Sequence, residues 1–409
     1  MNLPHPTLGG LESPTSPTHG IGFYVHLPFC TTKCGYCDFY SLPTLPDLVD
    51  GLTAALSAEM AARNPRRPVE TVFIGGGTPT VLPAEALGRI LRMVGDAAGP
   101  VGEFTCEANP SSTDELKLEL LRRHGVTRVS FGAQSFHPDD LAVLQRIHDP
   151  AHIGASVRAA RAAGFDNVNL DLIYGVPGQT VARWRETLLR AIDLQPDHVS
   201  CYALMYEPGT TLTREWRQGL VVPCAEEIEV EQFETTIDLL AEAGYEQYEI
   251  SNFAKPGRAC RANIIYWENR EYLGIGPSAV SYLDGVRRKN IADVRRYVES
   301  VGGTRADIVL DSERLPDEGR ALETAMQMLR LTDGIDRRRY QAITGRDAEA
   351  VVDARLRPFV ELGLVQIDAR GYRLTRRGLI VSNRILEELA PEASPRGDAN
   401  RGMSLPVVQ

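Results

Sequence analysis

Apolar positions alternate between two spacings from residue 21 to about residue 280. Short apolar runs of strand length are followed by longer segments in which apolar residues recur at helical spacing. The short runs predict six strands: Ile21–Leu27, Glu70–Ile74, Glu103–Glu107, Arg128–Gly132, Asn167–Tyr174 and His198–Leu204. Strand–helix alternation of this kind is typical of βαβ units and a parallel sheet. Six units favour an α/β protein with a partial (β/α) barrel, and an open doubly wound sheet is the alternative.

The pattern changes after about residue 300, where helices are followed by a small hairpin. Helices are predicted over Leu315–Leu331 and Asp347–Leu362, then a hairpin from Leu364 to Thr375 and a helix through Leu389. This order is typical of a winged-helix-like domain, and such domains often bind DNA. From Arg305 to Glu388, however, fifteen Arg are balanced by fifteen Asp or Glu, so no basic footprint supports a nucleic-acid partner.

These patterns divide the chain into four parts: a flexible leader at 1–20, the barrel at 21–300, the winged-helix-like domain at 301–390 and a flexible tail at 391–409. The leader is rich in Pro, Gly, Ser and Thr and lacks the basic start and apolar centre of a signal peptide. No stretch approaches the ~20 apolar residues of a membrane-spanning helix. The net charge of −10 disfavours general binding to nucleic acid or membrane surfaces. We therefore expect a cytoplasmic protein that does not span a membrane.

Three of the seven cysteines, Cys30, Cys34 and Cys37, fall within eight residues and form a C-x3-C-x2-C pattern. The other four are scattered, and no disulfide framework is expected in a chain this long. Iron–sulfur cubanes in electron-transfer proteins are held by four thiolates, so three thiolates leave one iron open to a small chelating ligand. A zinc site completed by His26 or another ligand is the alternative.

Further polar and glycine residues stand where the predicted strands end, which is where a parallel barrel places its chemistry. Glycines 75 to 77 follow one strand and allow close approach of the backbone to a ligand. Glu107, Gln134, Arg146 and Asp171 follow from successive units. An arginine can pair with a carboxylate, and the acids can hold hydroxyl groups or a cation. Taken singly, each of these side chains is more typical of a surface or salt-bridge residue.

Five motifs together resemble the oxygen-independent coproporphyrinogen III oxidase group of radical-SAM proteins, from about Gly22 to Leu389. They are Tyr24-Val-His-Leu-Pro-Phe-Cys30, Gly75–Thr80, Phe131-Gly-Ala-Gln-Ser-Phe136, Arg146-Ile-His148 and Asp171-Leu-Ile-Tyr-Gly-Val-Pro-Gly178. The resemblance implies a partial radical-SAM barrel with a winged-helix-like appendage and a [4Fe–4S] cluster on the three cysteines. It also implies contacts to S-adenosylmethionine (SAM) from Tyr24, Gly76, Gly77, Thr78, Glu107, Gln134, Arg146 and Asp171.

Other features distinguish two branches of that group. The oxidases carry a further cysteine two residues past the third and a longer segment before the cluster motif, whereas this chain has Phe39 and only 23 residues before Tyr24. Cys37-Asp-Phe39, Tyr248–Gly257, Tyr272–Gly276 and Gly378–Asn383 instead resemble a heme-chaperone branch. That resemblance implies heme as ligand and heme-accepting respiratory proteins as partners. The alternative is an enzyme that receives an electron at the cluster and decarboxylates coproporphyrinogen.

One position departs from the heme-chaperone pattern. Members of that branch tend to show His-Asn-x-x-Tyr-Trp, a candidate heme contact, where this sequence has Ala262-Asn-Ile-Ile-Tyr266-Trp267. Alanine has no donor atom, so another residue must ligate the iron, or packing and propionate contacts must hold the porphyrin. Cys260 is a possible thiolate ligand, although a buried inert thiol is the simpler interpretation.

Overall fold

The computed structural model describes residues 20–65, 67–301 and 308–391. The predicted leader and tail lie almost wholly outside these ranges. The strands in chain order are β1 (Ile21–Leu27), β2 (Phe29–Cys30), β3 (Leu42–Pro43), β4 (Val69–Gly76), β5 (Glu103–Ala108), β6 (Arg128–Gln134), β7 (Val168–Tyr174), β8 (His198–Ala203), β9 (Glu246–Gln247), β10 (Asn252–Ala254), β11 (Tyr272–Ile275), β12 (Val280–Leu283), β13 (Val286–Asn290), β14 (Val309–Glu313), β15 (Ile335–Asp336), β16 (Val365–Ile367) and β17 (Gly371–Leu374).

Helices separate most of these strands, and a short 3-10 turn covers Pro79–Val81. The helices are α1 (Pro46–Ala62), α2 (Ala84–Ala98), α3 (Glu115–Arg123), α4 (Pro138–Val143), α5 (Pro150–Ala162), α6 (Val181–Asp193), α7 (Thr211–Arg217), α8 (Glu226–Glu242), α9 (Arg261–Trp267), α10 (Val294–Ser300), α11 (Asp317–Met328), α12 (Arg337–Thr344), α13 (Ala348–Glu361), α14 (Arg376–Ile380) and α15 (Ser382–Glu387).

The six predicted strands form the parallel centre of one twelve-stranded sheet, in the order β1-β4-β5-β6-β7-β8. Strand β11 adds in parallel to β1, and β12, β13 and β14 continue antiparallel from it. Strands β10 and β9 extend the other edge antiparallel to β8. Within the described residues the two outer strands do not pair with each other, so the barrel is partial, as predicted.

Side-chain alternation along the parallel strands gives the sheet two different faces. On β7, Leu170 and Leu172 are fully buried in the main apolar core, where the surrounding helices cover the sheet. Asn169 and Asp171 point to the opposite face, and hydrogen-bond each other and Ser130 of β6. The outer face of the barrel is therefore apolar, and its interior is lined by polar groups, of which those on β6 and β7 hydrogen-bond one another.

The C-terminal part has its own apolar core, built from α11, α12, α13 and the small sheet β15-β17-β16. The predicted hairpin is present as β16 and β17. The single helix predicted after it is wrong, because Val381 leaves helical geometry (φ −110°, ψ 24°) and separates α14 from α15. The large sheet itself runs past residue 300 to Glu313. The proposed division of the chain near residue 300 remains a prediction.

Ion pairs join the two parts. Arg287 of β13 donates to both carboxylate oxygens of Glu323 on α11, at 2.8 and 3.0 Å, and both side chains are buried. Arg376 at the start of α14 pairs with Asp238 on α8. Arg330 likewise pairs with Glu249 and Arg339 with Glu268, so several C-terminal arginines have carboxylate partners inside the protein. In the described part of the chain, every helix is too short or too polar to cross a membrane.

Candidate functional site

A cavity of about 1030 Å³, counting its open mouth, lies at the carboxyl ends of the parallel strands. Its lining contains all three cysteines of the C-x3-C-x2-C motif and seven of the eight side chains or glycines expected to contact SAM: Gly76, Gly77, Thr78, Glu107, Gln134, Arg146 and Asp171. The eighth, Tyr24, does not line this cavity, and its hydroxyl forms a hydrogen bond of 3.0 Å with His26 Nδ1. The fold thus brings together residues that are up to 141 positions apart in the sequence, from Cys30 to Asp171.

The three cysteine thiols are free and partly exposed around the cavity. Cys30 Sγ lies 3.7 Å from Thr78 Oγ1, and Arg146 Nη1 donates to Cys34 Sγ at 3.4 Å. Burial raises the pKa of Cys37 to about 12 and also raises the pKa of Cys30, so these two groups are protonated thiols at neutral pH. A bound metal centre would displace these protons, because coordinating thiols lose theirs outright.

The donor set consists of three thiols, which suit a cubane that takes another ligand at its fourth iron. A zinc ion requires four ligand atoms within about 2.0–2.3 Å of one point. In the described residues, no three His, Cys, Asp or Glu side chains are already arranged to hold a metal ion. Both the cluster and the zinc alternative therefore rest on the cysteine spacing.

Gly75 and Gly76 at the end of β4, and Gly77 just after it, are closely packed. A Cβ on Gly75 would lie 2.5 Å from the Glu107 carboxylate, and one on Gly77 would lie 2.5 Å from the Phe29 carbonyl oxygen. Gly76 has φ +101°, and a Cβ there would lie 2.3 Å from the His26 ring. The backbone at Gly77 is hydrogen-bonded to the end of β1, because the Gly77 N–H donates to Leu27 O at 2.8 Å. The absence of a Cβ thus allows this segment to pack against β1 and β2. In that position Gly76 and Gly77 line the cavity.

Two carboxyl groups face the cavity from β5 and β7, the strands on either side of β6. Gly76 N–H donates to Glu107 Oε2 at 3.0 Å. Burial, and next the negative charge of Asp171, raise the pKa of Glu107 to about 8. Burial also raises the pKa of Asp171, although hydrogen bonds from Ser130 and Asn169 oppose that effect. Among the described residues, neither acid has a basic side chain at hydrogen-bond distance. A ligand that brings hydroxyls or positive charge would therefore stabilise the ionised forms of both.

Arg146 and Gln134 are held by an irregularity in β6. The register with β7 shifts between Gly132 and Gln134, and Gln134 adopts φ +62°. Arg146 Nη2 donates to Gly132 O at 2.7 Å, while its other terminal nitrogen faces Cys34. The bulge therefore turns an amide and a guanidinium toward the same space, as bulges beside functional sites often do.

Sequence reasoning missed the polar floor of this site. Ser130, Asn169, His198 and Tyr248 are buried and hydrogen-bonded in a chain that ends on Asp171. The available signal was the polar residue at every second position of otherwise apolar strands, which marks the inward face.

The segment Ala262–Trp267, which departs from the heme-chaperone pattern at Ala262, lies at the end of the barrel opposite the cavity. Ala262 N–H, in α9, donates to Glu103 at the start of β5 at 3.3 Å. Cys260 is fully buried, and its thiol donates to the same carboxylate at 3.5 Å. Trp267 lies under the Arg330 guanidinium. Cys260 is therefore a buried thiol, and neither it nor Ala262 opens onto the cavity.

Fold and cavity together define a radical-SAM protein. The Radical SAM superfamily description matches residues 24–191, and that of the HemN C-terminal domain matches residues 315–381. The structure is similar to that of coproporphyrinogen III oxidase (HemN) from Escherichia coli, a radical-SAM enzyme, with a TM-score of 0.79, 24% identity and 91% of each chain covered. At this identity the likeness shows the fold alone.

Sequence relatives narrow the class to one family. The heme chaperone HemW of Bacillus subtilis is 34% identical, over 88% of this chain and 97% of the relative. Those of Mycobacterium tuberculosis (strain H37Rv) and Escherichia coli (strain K12) are 36% and 33% identical, over 91% and 90% of this chain and 95% and 97% of the relatives. The chain belongs to the HemW family, which confirms the resemblance inferred from the motifs.

Proposed function

We propose that this chain is a cytoplasmic heme carrier that binds a [4Fe–4S] cluster through Cys30, Cys34 and Cys37 and SAM beside it. The observation that carries the cluster and SAM part is the single cavity in which the three thiols meet Gly76, Gly77, Arg146 and both carboxyl groups. The carrier part is supported by the name shared by relatives that match over nearly their whole length.

In this proposal each wall of the cavity has a separate role. The three thiolates would hold the cluster, which would bind the amino and carboxylate groups of SAM. Arg146 lies within reach of Cys34 and can pair with the carboxylate of SAM. Glu107 and Asp171 then hold ribose hydroxyls and the sulfonium side. Gly76 and Gly77 leave backbone groups accessible to the amino group, and Gln134 and Thr78 close the sides.

When bound, the cluster supplies an electron for the reduction of SAM, and this proposal therefore includes an external electron donor as a partner. Phe39 argues against the oxidase alternative. It lines the cavity two residues past Cys37, at the position where the oxidases carry their extra cysteine. A phenyl ring offers no thiolate there. We therefore propose that heme, rather than coproporphyrinogen, is the molecule handled, and that the acceptors are heme-requiring respiratory proteins.

The test uses the full chain, purified and reconstituted with iron and sulfide without oxygen. Iron and sulfide analysis and SAM binding come first, followed by titration with hemin and an assay with coproporphyrinogen, SAM and a reductant. We expect a brown protein that takes up hemin stoichiometrically and forms no protoporphyrinogen. Turnover of coproporphyrinogen, or absence of hemin binding, would contradict the carrier function.

A further inference from the structure

A second depression, the α4–α6 groove, adjoins the cavity. It lies between α4, the loop that leads into α5 and the C-terminal half of α6, and its space is about 1020 Å³ counting its open mouth. Its walls include the apolar side chains of Phe136, Leu141, Ile147 and Pro150. The groove and the cavity share Arg146 and Ile147, so an occupant of one lies directly beside the other.

His148 forms part of the groove wall and carries an unused nitrogen. Its Nε2 lies 3.0 Å from Ala133 O, and because a carbonyl only accepts, the ring hydrogen is on Nε2. Nδ1 therefore presents a lone pair, and it is buried without a hydrogen-bond partner. Buried polar atoms are nearly always paired, so an orphaned one indicates a missing partner. An imidazole whose N–H is held by a backbone carbonyl is the usual form of a metal-ligating histidine.

The remaining histidines of the described residues are less suitable as ligands for a metal in this groove. His26 and His198 lie inside the barrel, and both ring nitrogens of each are hydrogen-bonded. His137 Nδ1 accepts a hydrogen bond from the Asp139 backbone N–H at 3.3 Å. The other two lie outside the groove. His148 thus combines a free ring nitrogen with an apolar surface large enough for a flat ligand.

The groove also has a cation at its edge. The guanidinium of Arg190 lies 5.2 Å from the centre of the Phe136 ring, and its Nη1 donates to Phe136 O at 3.0 Å. Its side chain is about half exposed, and Glu186 lies 3.9 Å away on the surface. A guanidinium has five N–H donors, so several remain for an acidic ligand group. An apolar wall, a free imidazole nitrogen and an arginine at the rim match a porphyrin, its iron and a propionate.

We propose that heme docks in the α4–α6 groove with His148 as axial ligand and Arg190 against a propionate. This proposal rests on the carrier function proposed above and adds the place where heme is held. Nδ1 is itself buried, so the wall of the groove must open before the iron reaches it. An open groove with one protein ligand suits a carrier, because the cargo has to leave again.

The experiment titrates the full-length reconstituted protein with hemin and records the Soret band and the resonance Raman spectrum. His148→Ala should bind hemin at least tenfold more weakly and lose the histidine-ligated spectrum, and free imidazole should restore that spectrum in His148→Gly. His152→Ala removes an exposed histidine of α5 outside the groove and is the matched control. Arg190→Gln should weaken binding several-fold and leave the ligand spectrum unchanged. Iron and sulfide content reports whether each variant has kept its fold.

The outcomes separate the two proposals. If the wild-type protein binds hemin and His148→Ala binds it with the same affinity and spectrum, heme lies elsewhere, and only the groove assignment is overturned. If His148→Ala fails to fold, Arg190→Gln decides, and an unchanged hemin affinity in that variant overturns the groove. If the wild-type protein binds no hemin, the carrier function itself is wrong.

Discussion

Asn169 Nδ2 donates a hydrogen bond of 2.7 Å to Asp171 Oδ1, two residues further along β7. The other oxygen of that carboxyl group accepts from Ser130 Oγ at 2.9 Å. Behind them, His198 Nδ1 lies 2.6 Å from Asn169 Oδ1, and His198 Nε2 lies 2.9 Å from the Tyr248 hydroxyl. Because the amide oxygen can only accept, His198 carries its hydrogen on Nδ1 and accepts from Tyr248. The chain of donors therefore points toward Asp171 and orients it at the floor of the cavity.

Replacing Asn169 tests this arrangement. Asn169→Ala removes the acceptor of the His198 N–H and one donor to Asp171, so we expect a loss of about 1–3 kcal/mol in unfolding free energy. We also expect at least tenfold weaker SAM binding, measured by calorimetry on the reconstituted protein. Ser130→Ala keeps His198 paired, so it should lose less unfolding free energy and less SAM affinity than Asn169→Ala. Equal SAM affinity in wild type and Asn169→Ala would show that Asp171 does not depend on this network.

Cys34→Ser tests the cluster ligands. Since losing one of three thiolates leaves too few to hold a cubane, we expect the variant to lose its brown colour and its iron and sulfide. Cys224→Ser changes a partly exposed cysteine outside the motif and should keep both. Full iron and sulfide in Cys34→Ser would make the ligand assignment wrong.

Gly76→Ala tests the packing at the end of β4. A methyl group there meets the His26 ring in addition to a positive φ, whereas at Gly125 (φ +85°) there is open space around the added Cβ. Gly125→Ala should therefore cost only the backbone strain, about 1–2 kcal/mol. Gly76→Ala should cost clearly more and should lower SAM affinity. The comparison is made by urea denaturation, and equal costs would contradict a close approach at His26.

The raised pKa of Glu107 predicts a pH dependence of stability. Its pKa rises from an ordinary value of 4.5 to about 8 in the folded protein, so the folded state keeps a proton that the unfolded chain loses. The associated stabilisation is complete below pH 4.5 and is lost as the pH rises through 8. The side chain in Glu107→Gln stays neutral. When both proteins are measured without the cluster, the Tm of this variant should therefore fall less between pH 5 and 9 than that of the wild-type protein. Parallel curves for the two proteins would show that Glu107 ionises normally.

Much of the fold and of the candidate site was predicted from local sequence patterns. The six strand predictions match β1 and β4 to β8 within two residues at each end, because strand runs and the helical segments between them differ in period. The cysteine spacing and the glycines at the end of β4 could be read directly, since both are properties of consecutive residues. Their common location at the strand ends followed from the parallel topology.

Other features depend on partners that are distant in sequence. Strands β9 to β14 are mostly short and gain their hydrogen bonds from the edges of a sheet formed elsewhere, so their own residues carry a weak signal. Tyr24 belongs to the same motif as Cys30 but is hydrogen-bonded to His26 rather than facing the cavity, which only the placement of β1 decides. The sequence by itself determined the fold class and singled out the three cysteines as one candidate site, because these rest on periodicity and spacing. Only the tertiary structure decided which carboxyl groups lose water, which imidazole nitrogen stays unpaired and which thiols are sealed in the core, because burial and hydrogen bonding depend on residues brought together by folding.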